Sequence, residues 1–111
     1  MELNQAVKSL AALAQEHRLA IFKLLIQAGP EGMAAGQVSE ELGISSSSLS
    51  FHMKELSHAG LVTSRNEGRY VIYSALIQSM NELLAYLAEN CCGGNPCSPV
   101  SVACKPKAES V

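Results

Sequence analysis

The chain has 111 residues, the length of one ordinary domain with a modest core. Hydrophobic residues make up 48% and charged residues only 16%, a globular rather than a disordered composition. Eight basic against ten acidic side chains leave a net charge of −2, which excludes a polybasic protein; any nucleic-acid binding must come from a local patch.

Apolar stretches all break before the roughly eighteen residues a membrane span needs, and Met1-Glu2-Leu3-Asn4-Gln5 lacks the basic-then-apolar pattern of a secretory signal. The expectation is a cytoplasmic protein with no membrane partner. All four cysteines (Cys91, Cys92, Cys97 and Cys104) fall in the last quarter of the chain. A disulfide framework would spread them through the fold, so clustered thiols in a reducing compartment point to metal binding or redox sensing.

In chain order, a first amphipathic segment from about Leu3 to Leu13 sets Leu3, Val7, Leu10 and Leu13 at helical spacing. A second, about Glu16 to Gln27, carries Leu19, Phe22 and Ile26 on a stripe widened by Ile21, Leu24 and Leu25. That apolar circumference suits a central core helix. Ala28-Gly29-Pro30-Glu31-Gly32 stops it. A short third helix, about Ala35 to Leu42, ends at Gly43. The connection Gly43-Ile44-Ser45 leads into a fourth, with Ser45 or Ser46 as N-cap. There Leu49, Met53 and Leu56, at i, i+4, i+7, must face the core, and Ala59-Gly60 closes the helix. Leu61 to Arg65 and Arg69 to Ser74 read as strands around a three-residue loop, Asn66-Glu67-Gly68. A fifth helix, about Leu76 to Glu89, shows Ile77, Met80, Leu84 and Leu87. Residues 1–90 thus form one domain and 91–111 a tail with three of the four prolines and no period.

Two helices joined by a glycine turn and followed by a hairpin make a winged helix-turn-helix, mainly α with a β-hairpin wing. In that arrangement the second helix enters the major groove and the hairpin tip reaches the neighbouring backbone or minor groove. With the leucine–methionine stripe inward, Ser47, Ser48, Ser50, Phe51 and Lys54 point outward, with Ser46 beside them at the helix start. Hydroxyls there can meet phosphates or base edges, Lys54 can neutralise a phosphate, and Phe51 suits a thymine methyl. Arg65 and Arg69 flank the hairpin tip, where two cations can straddle the duplex backbone. His52 lies about 60° round from Leu49, as a helix-packing or phosphate-contacting histidine, and His17 and His58 read as surface residues. The plainer alternative is a polar, serine-rich helix beside an ordinary hairpin, since Glu55 and Glu67 offset two of the cations.

Ala12-Leu13-Ala14-Gln15-Glu16-His17-Arg18-Leu19, Ser48-Leu49-Ser50-Phe51-His52-Met53-Lys54-Glu55-Leu56, Ala59-Gly60-Leu61-Val62 and Glu67-Gly68-Arg69 together resemble the ArsR/SmtB family of winged-helix metalloregulators. The likeness runs over roughly residues 5 to 90. It implies a homodimeric repressor that leaves double-stranded operator DNA when a toxic metal ion or metalloid binds. Dimers of this family pair through the first and last helices, here Leu3, Val7 and Leu10 with Ile77, Met80 and Leu84. Those stripes are too apolar to face water on so small a domain, which independently suggests a partner. No catalytic residue is expected: the cysteine tail lacks a Cys-x-x-C motif, a general base and a pocket signature.

The resemblance also directs attention to two known inducer positions. The third helix, Ala34-Ala35-Gly36-Gln37-Val38-Ser39, contains no thiol for the usual arsenic site. The last helix offers Glu82 and Glu89 but no histidine for a zinc site. What remains resembles the variant arsenic repressor whose thiols cluster at the C-terminal end of the dimerisation helix: Cys91, Cys92 and Cys97, with Cys104 a substitute or fourth ligand. Neighbours on a helix point about 100° apart, so Cys91 and Cys92 converge only if the helix unwinds. Gly93-Gly94 and Asn95-Pro96 can turn the chain to bring Cys97 back over them. Three thiolates suit trivalent arsenic (arsenite), with antimony or a divalent soft metal as other occupants. Zinc or cadmium held by four thiolates, a thiol–disulfide switch, and a thiol-based metal carrier or enzyme stay open as alternatives.

Overall fold

A computed structural model of the chain describes residues 1–90 and Gly93. The four cysteines lie outside the described residues. Five helices and three strands follow in the order α1 (Leu3–Leu13), α2 (Glu16–Ala28), β1 (Met33–Ala34), α3 (Ala35–Leu42), α4 (Ser46–His58), β2 (Val62–Glu67), β3 (Tyr70–Ala75) and α5 (Ile77–Ala88), with a 3₁₀ turn over Gly29–Glu31. This is the expected winged helix-turn-helix, mainly helical with a hairpin wing.

Local chemistry explains the helix limits. Gln15 caps α2, its side-chain carbonyl accepting from the Arg18 N–H at 3.0 Å. Ser45, of the two candidate serines, caps α4 through Oγ and the Ser48 N–H at 3.2 Å. Between α3 and α4, Gly43 takes the left-handed conformation at φ 64°, ending one helix and redirecting the chain into the next. Ile44, directly after it, is buried and pins the turn to the core.

The core gathers Ile21, Phe22 and Leu25 of α2, Val38 of α3, and Leu49, Met53 and Leu56 of α4, closed below by Leu61 and Val62. Helix α2 is the central helix, but its buried stripe is not the expected one. Ile21, Phe22 and Leu25 face inward, whereas Leu19 is 53% exposed. At 100° per residue Leu19 sits about 110° round from the centre of that stripe, so it cannot share the face.

The wing differs from expectation in two ways. Its strands extend to a two-residue turn: Glu67 pairs with Tyr70, leaving Gly68-Arg69 as the loop in place of Asn66-Glu67-Gly68. Gly68, at φ 64°, supplies the positive dihedral that a two-residue hairpin turn needs at its first central position. A third strand joins the sheet in the order β1-β3-β2, with Met33 opposite Tyr73 and Ala34 opposite Ile72. Gly32 makes this pairing feasible. It has φ 75°, and a Cβ there would strike the Tyr73 carbonyl and come within 2.6 Å of Ser74 Oγ.

Candidate nucleic-acid interface

Helix α4 presents two distinct faces. Leu49, Met53 and Leu56 are buried, while Ser46, Ser47, Ser48, Ser50, Phe51 and Lys54 are exposed. Phe51, at 56% exposure, is a large apolar ring left in water on an otherwise polar face. Such a residue on a helix sized for the major groove has an apolar partner available there, the methyl of thymine.

His52 does not share that exposed face. It is buried at 8% exposure, with its ring 5.5 Å from that of His17 and 5.5 Å from that of Phe51. Arg18 Nη1 lies 3.4 Å from His52 Nδ1, and Arg18 Nε donates to the Ala12 carbonyl at 2.6 Å. Burial first, then the Arg18 and His17 charges, hold the His52 pKa below its ordinary value, against the opposing pull of Glu55. A neutral imidazole facing α2 is therefore its resting form, and direct contact with DNA does not fit its position. His17 and His58 are exposed, as expected.

The two wing arginines part company. Arg69 is exposed in the turn itself. Arg65 is committed to the protein: Nε donates to Glu67 Oε2 at 2.8 Å, Nη2 to the Glu31 carbonyl at 2.8 Å, and Nη1 to Ser74 Oγ at 3.4 Å. It ties β2 to the turn that follows α2. Tyr70, next to Arg69 and 62% exposed, is a wing residue that reading the sequence passed over. Its position two residues after the turn glycine is the available signal.

Away from this face, Leu3, Val7 and Leu10 of α1 are 67%, 55% and 42% exposed, a continuous apolar stripe in water. On α5, Leu83 turns inward, Ile77, Met80 and Leu84 are half-buried, and Leu87 is exposed. Ser79 Oγ, on the first turn of α5, donates to the Gly60 carbonyl at 2.7 Å, just past the end of α4. Among the described residues no three His, Cys, Asp or Glu side chains come together as a metal site. No described helix is long and apolar enough to cross a membrane.

Comparison with known proteins agrees with this geometry. A helix-turn-helix domain model matches residues 13–65. The transcriptional activator HlyU of Vibrio cholerae is 38% identical over 89 residues, spanning 76% of this chain and 80% of HlyU. An ArsR-like transcriptional regulator from Rhodococcus superposes with a TM-score of 0.67 at 29% identity over 78% of each chain. The chain belongs to the ArsR/SmtB family of winged-helix transcriptional regulators. A homodimeric winged helix-turn-helix DNA-binding domain from Mycobacterium bovis superposes at 0.64 with 25% identity, covering 87% of this chain and 90% of that one. A putative arsenical resistance operon repressor of Halobacterium salinarum is 35% identical over 83 residues, 75% of this chain and 63% of its own. As an ArsR-family member the protein is a DNA-binding transcription regulator, and its relatives are regulators rather than enzymes.

Proposed function

We propose that the protein is a homodimeric repressor that occupies operator DNA through α4 and the wing, and is released when trivalent arsenic, or antimony, binds Cys91, Cys92 and Cys97. Repression needs only occupancy: a dimer seated across an operator excludes other proteins from the same duplex. The two α4 faces and Arg69 support the DNA-binding assignment. The exposed Leu3–Val7–Leu10 stripe, together with a homodimeric structural neighbour, supports pairing through α1 and α5.

One observation carries the induction step. Helix α5 is bonded at its start to the residue that closes α4, through Ser79 Oγ and the Gly60 carbonyl at 2.7 Å, and also through the Leu76 N–H to the Leu61 carbonyl at 2.8 Å. At its other end, α5 leads within three residues into Cys91. An ion that fixes the end of α5 therefore acts on a helix coupled both to the dimer stripe and to the recognition helix. Such an ion weakens DNA binding by its differential affinity for the DNA-free arrangement, typically ~1–3 kcal/mol of coupling. Three soft thiolates match the three-coordinate preference of arsenic, and the family includes a relative named for arsenical resistance.

The test is operator release followed by fluorescence anisotropy, with arsenite, antimonite, zinc, cadmium and diamide run side by side. Release by arsenite or antimonite at lower concentration than by zinc or cadmium is the expected result. Preferential release by zinc or cadmium assigns a divalent-metal sensor, and release by diamide alone assigns a thiol–disulfide switch.

A further inference from the structure

We propose that Arg18 and His52 are positioning residues for DNA binding, a latch that sets recognition helix α4 against the junction of α1 and α2. The inference rests on the reading of the exposed α4 face as the DNA-contacting surface. Arg18 reaches three elements at once. Its backbone N–H is held by the Gln15 cap of α2. Its Nε donates at 2.6 Å to the carbonyl of Ala12, in the last turn of α1, where helical carbonyls have no partner of their own and a cation is favoured. Its Nη1 meets His52 Nδ1 at 3.4 Å, across 34 positions of sequence.

A guanidinium only donates, so His52 Nδ1 must accept and the imidazole proton must sit on Nε2. That ring packs edge-to-face with Phe51, centroids 5.5 Å apart and planes at 63°. The latch thus seats the one large apolar side chain on the exposed face of α4, and through Ala12 it refers that seat to α1, the helix bearing the apolar stripe.

The contact requires a neutral imidazole. On protonation Nδ1 loses its acceptor lone pair and the ring becomes a cation facing Arg18. The charged groups acting on it are Arg18 and His17 from α2 and Glu55 from its own helix α4. Lys8, Arg18, Glu55 and His58 all line one open cleft of about 620 Å³ between these helices. Arg18 and His17 outweigh Glu55 at this ring, and protonating it opens the latch.

The experiment uses the full chain and a duplex selected from a randomised library by the wild-type protein. Affinity is measured from pH 7.5 to pH 5 for wild type, His52→Asn and His52→Leu. Asparagine places an acceptor near the Nδ1 position but does not titrate; leucine fills the buried site and cannot accept. A latch predicts that His52→Asn binds at least about tenfold tighter than His52→Leu at pH 7.5, a coupling within the usual range for linked sites. It also predicts that wild type loses affinity on acidification relative to His52→Asn. Equal affinities for the two variants, or identical pH profiles for wild type and His52→Asn, would overturn it, because a merely space-filling histidine prefers leucine to asparagine. If no duplex can be selected, the DNA-binding reading fails, and the latch is decided without DNA by NMR titration of the His52 ring. Arg18→Gln should then raise the pH at which that ring protonates, and an unchanged titration would overturn the proposal.

Discussion

Arg65 Nη2 donates to the Glu31 carbonyl at 2.8 Å, joining the wing strand to the turn after α2 across 34 positions of sequence. The same guanidinium holds Glu67 at 2.8 Å, a pair too exposed to contribute much stability by itself. Its value is geometric: with Ser74 it orients the hairpin whose turn carries Arg69. A phosphate contact and a brace differ in how they respond to salt. Arg69→Ala and Lys54→Ala should each flatten the salt dependence of DNA affinity by about one unit, as loss of one phosphate contact requires. Arg65→Ala should weaken binding while leaving the slope near that of wild type. Measured log–log salt slopes decide between them; a full unit lost at Arg65 would make it a DNA contact after all.

Gly32 should tolerate no side chain. A Cβ there meets the Tyr73 carbonyl and Ser74 Oγ, and the φ of 75° is unfavourable for any other residue. Gly32→Ala should cost about 2 kcal/mol in urea denaturation, combining backbone strain with displacement of β1 from β3. A cost below a few tenths of a kcal/mol would mean that the three-stranded sheet is not held as described.

The helical part of this architecture could be read in the residues almost to its ends, because periodic leucines and valines, glycine stops and serine caps act locally. The limits of α1 fall where its periodicity puts them, and α3 ends at the Gly43 stop. Strand β1 was invisible for the opposite reason: two residues, Met33 and Ala34, carry no period, and only their partner strand makes them β. The hairpin turn starts two residues later and ends one later than expected because Asn66-Glu67-Gly68 and Gly68-Arg69 are both acceptable turn sequences, and cross-strand register chooses between them. His52 and Arg65 were the hardest. Both look like DNA-facing polar residues in one dimension, and both are claimed by groups 34 positions away.

Assembly should depend on the α1 stripe. In a dimer paired through this face, Leu10→Asp buries a charge with no partner, at a cost of several kcal/mol, roughly the price of an unpaired polar group in an apolar site. In the free chain Leu10 is 42% exposed, so the fold itself should survive. Sedimentation should show folded monomers with sharply reduced DNA affinity, since one half-site alone cannot hold an operator. A variant that stays dimeric moves the interface away from α1.

Base preference should follow the exposed face of α4. Phe51→Ala should reduce discrimination between thymine and uracil at one operator position by about 1 kcal/mol, at the lower end of what a base contact contributes. Ser47→Ala and Ser50→Ala should alter the ranking of operator variants while the salt slope stays constant. Binding to a panel of single-base variants reads both, and an unchanged ranking for all three substitutions would take α4 out of the groove.

Arsenite release of the DNA-bound protein is the most direct measurement of the whole account, comparing wild type with the Cys91→Ser, Cys92→Ser, Cys97→Ser triple variant. Serine keeps nearly the size of cysteine and removes the soft ligand, so both proteins should bind the operator equally well before arsenite is added. Wild type should then dissociate with rising arsenite while the triple variant stays bound, and Cys104→Ser alone should shift the midpoint less. A triple variant that leaves its operator at the wild-type arsenite concentration would contradict the assignment of these thiols as the inducer site.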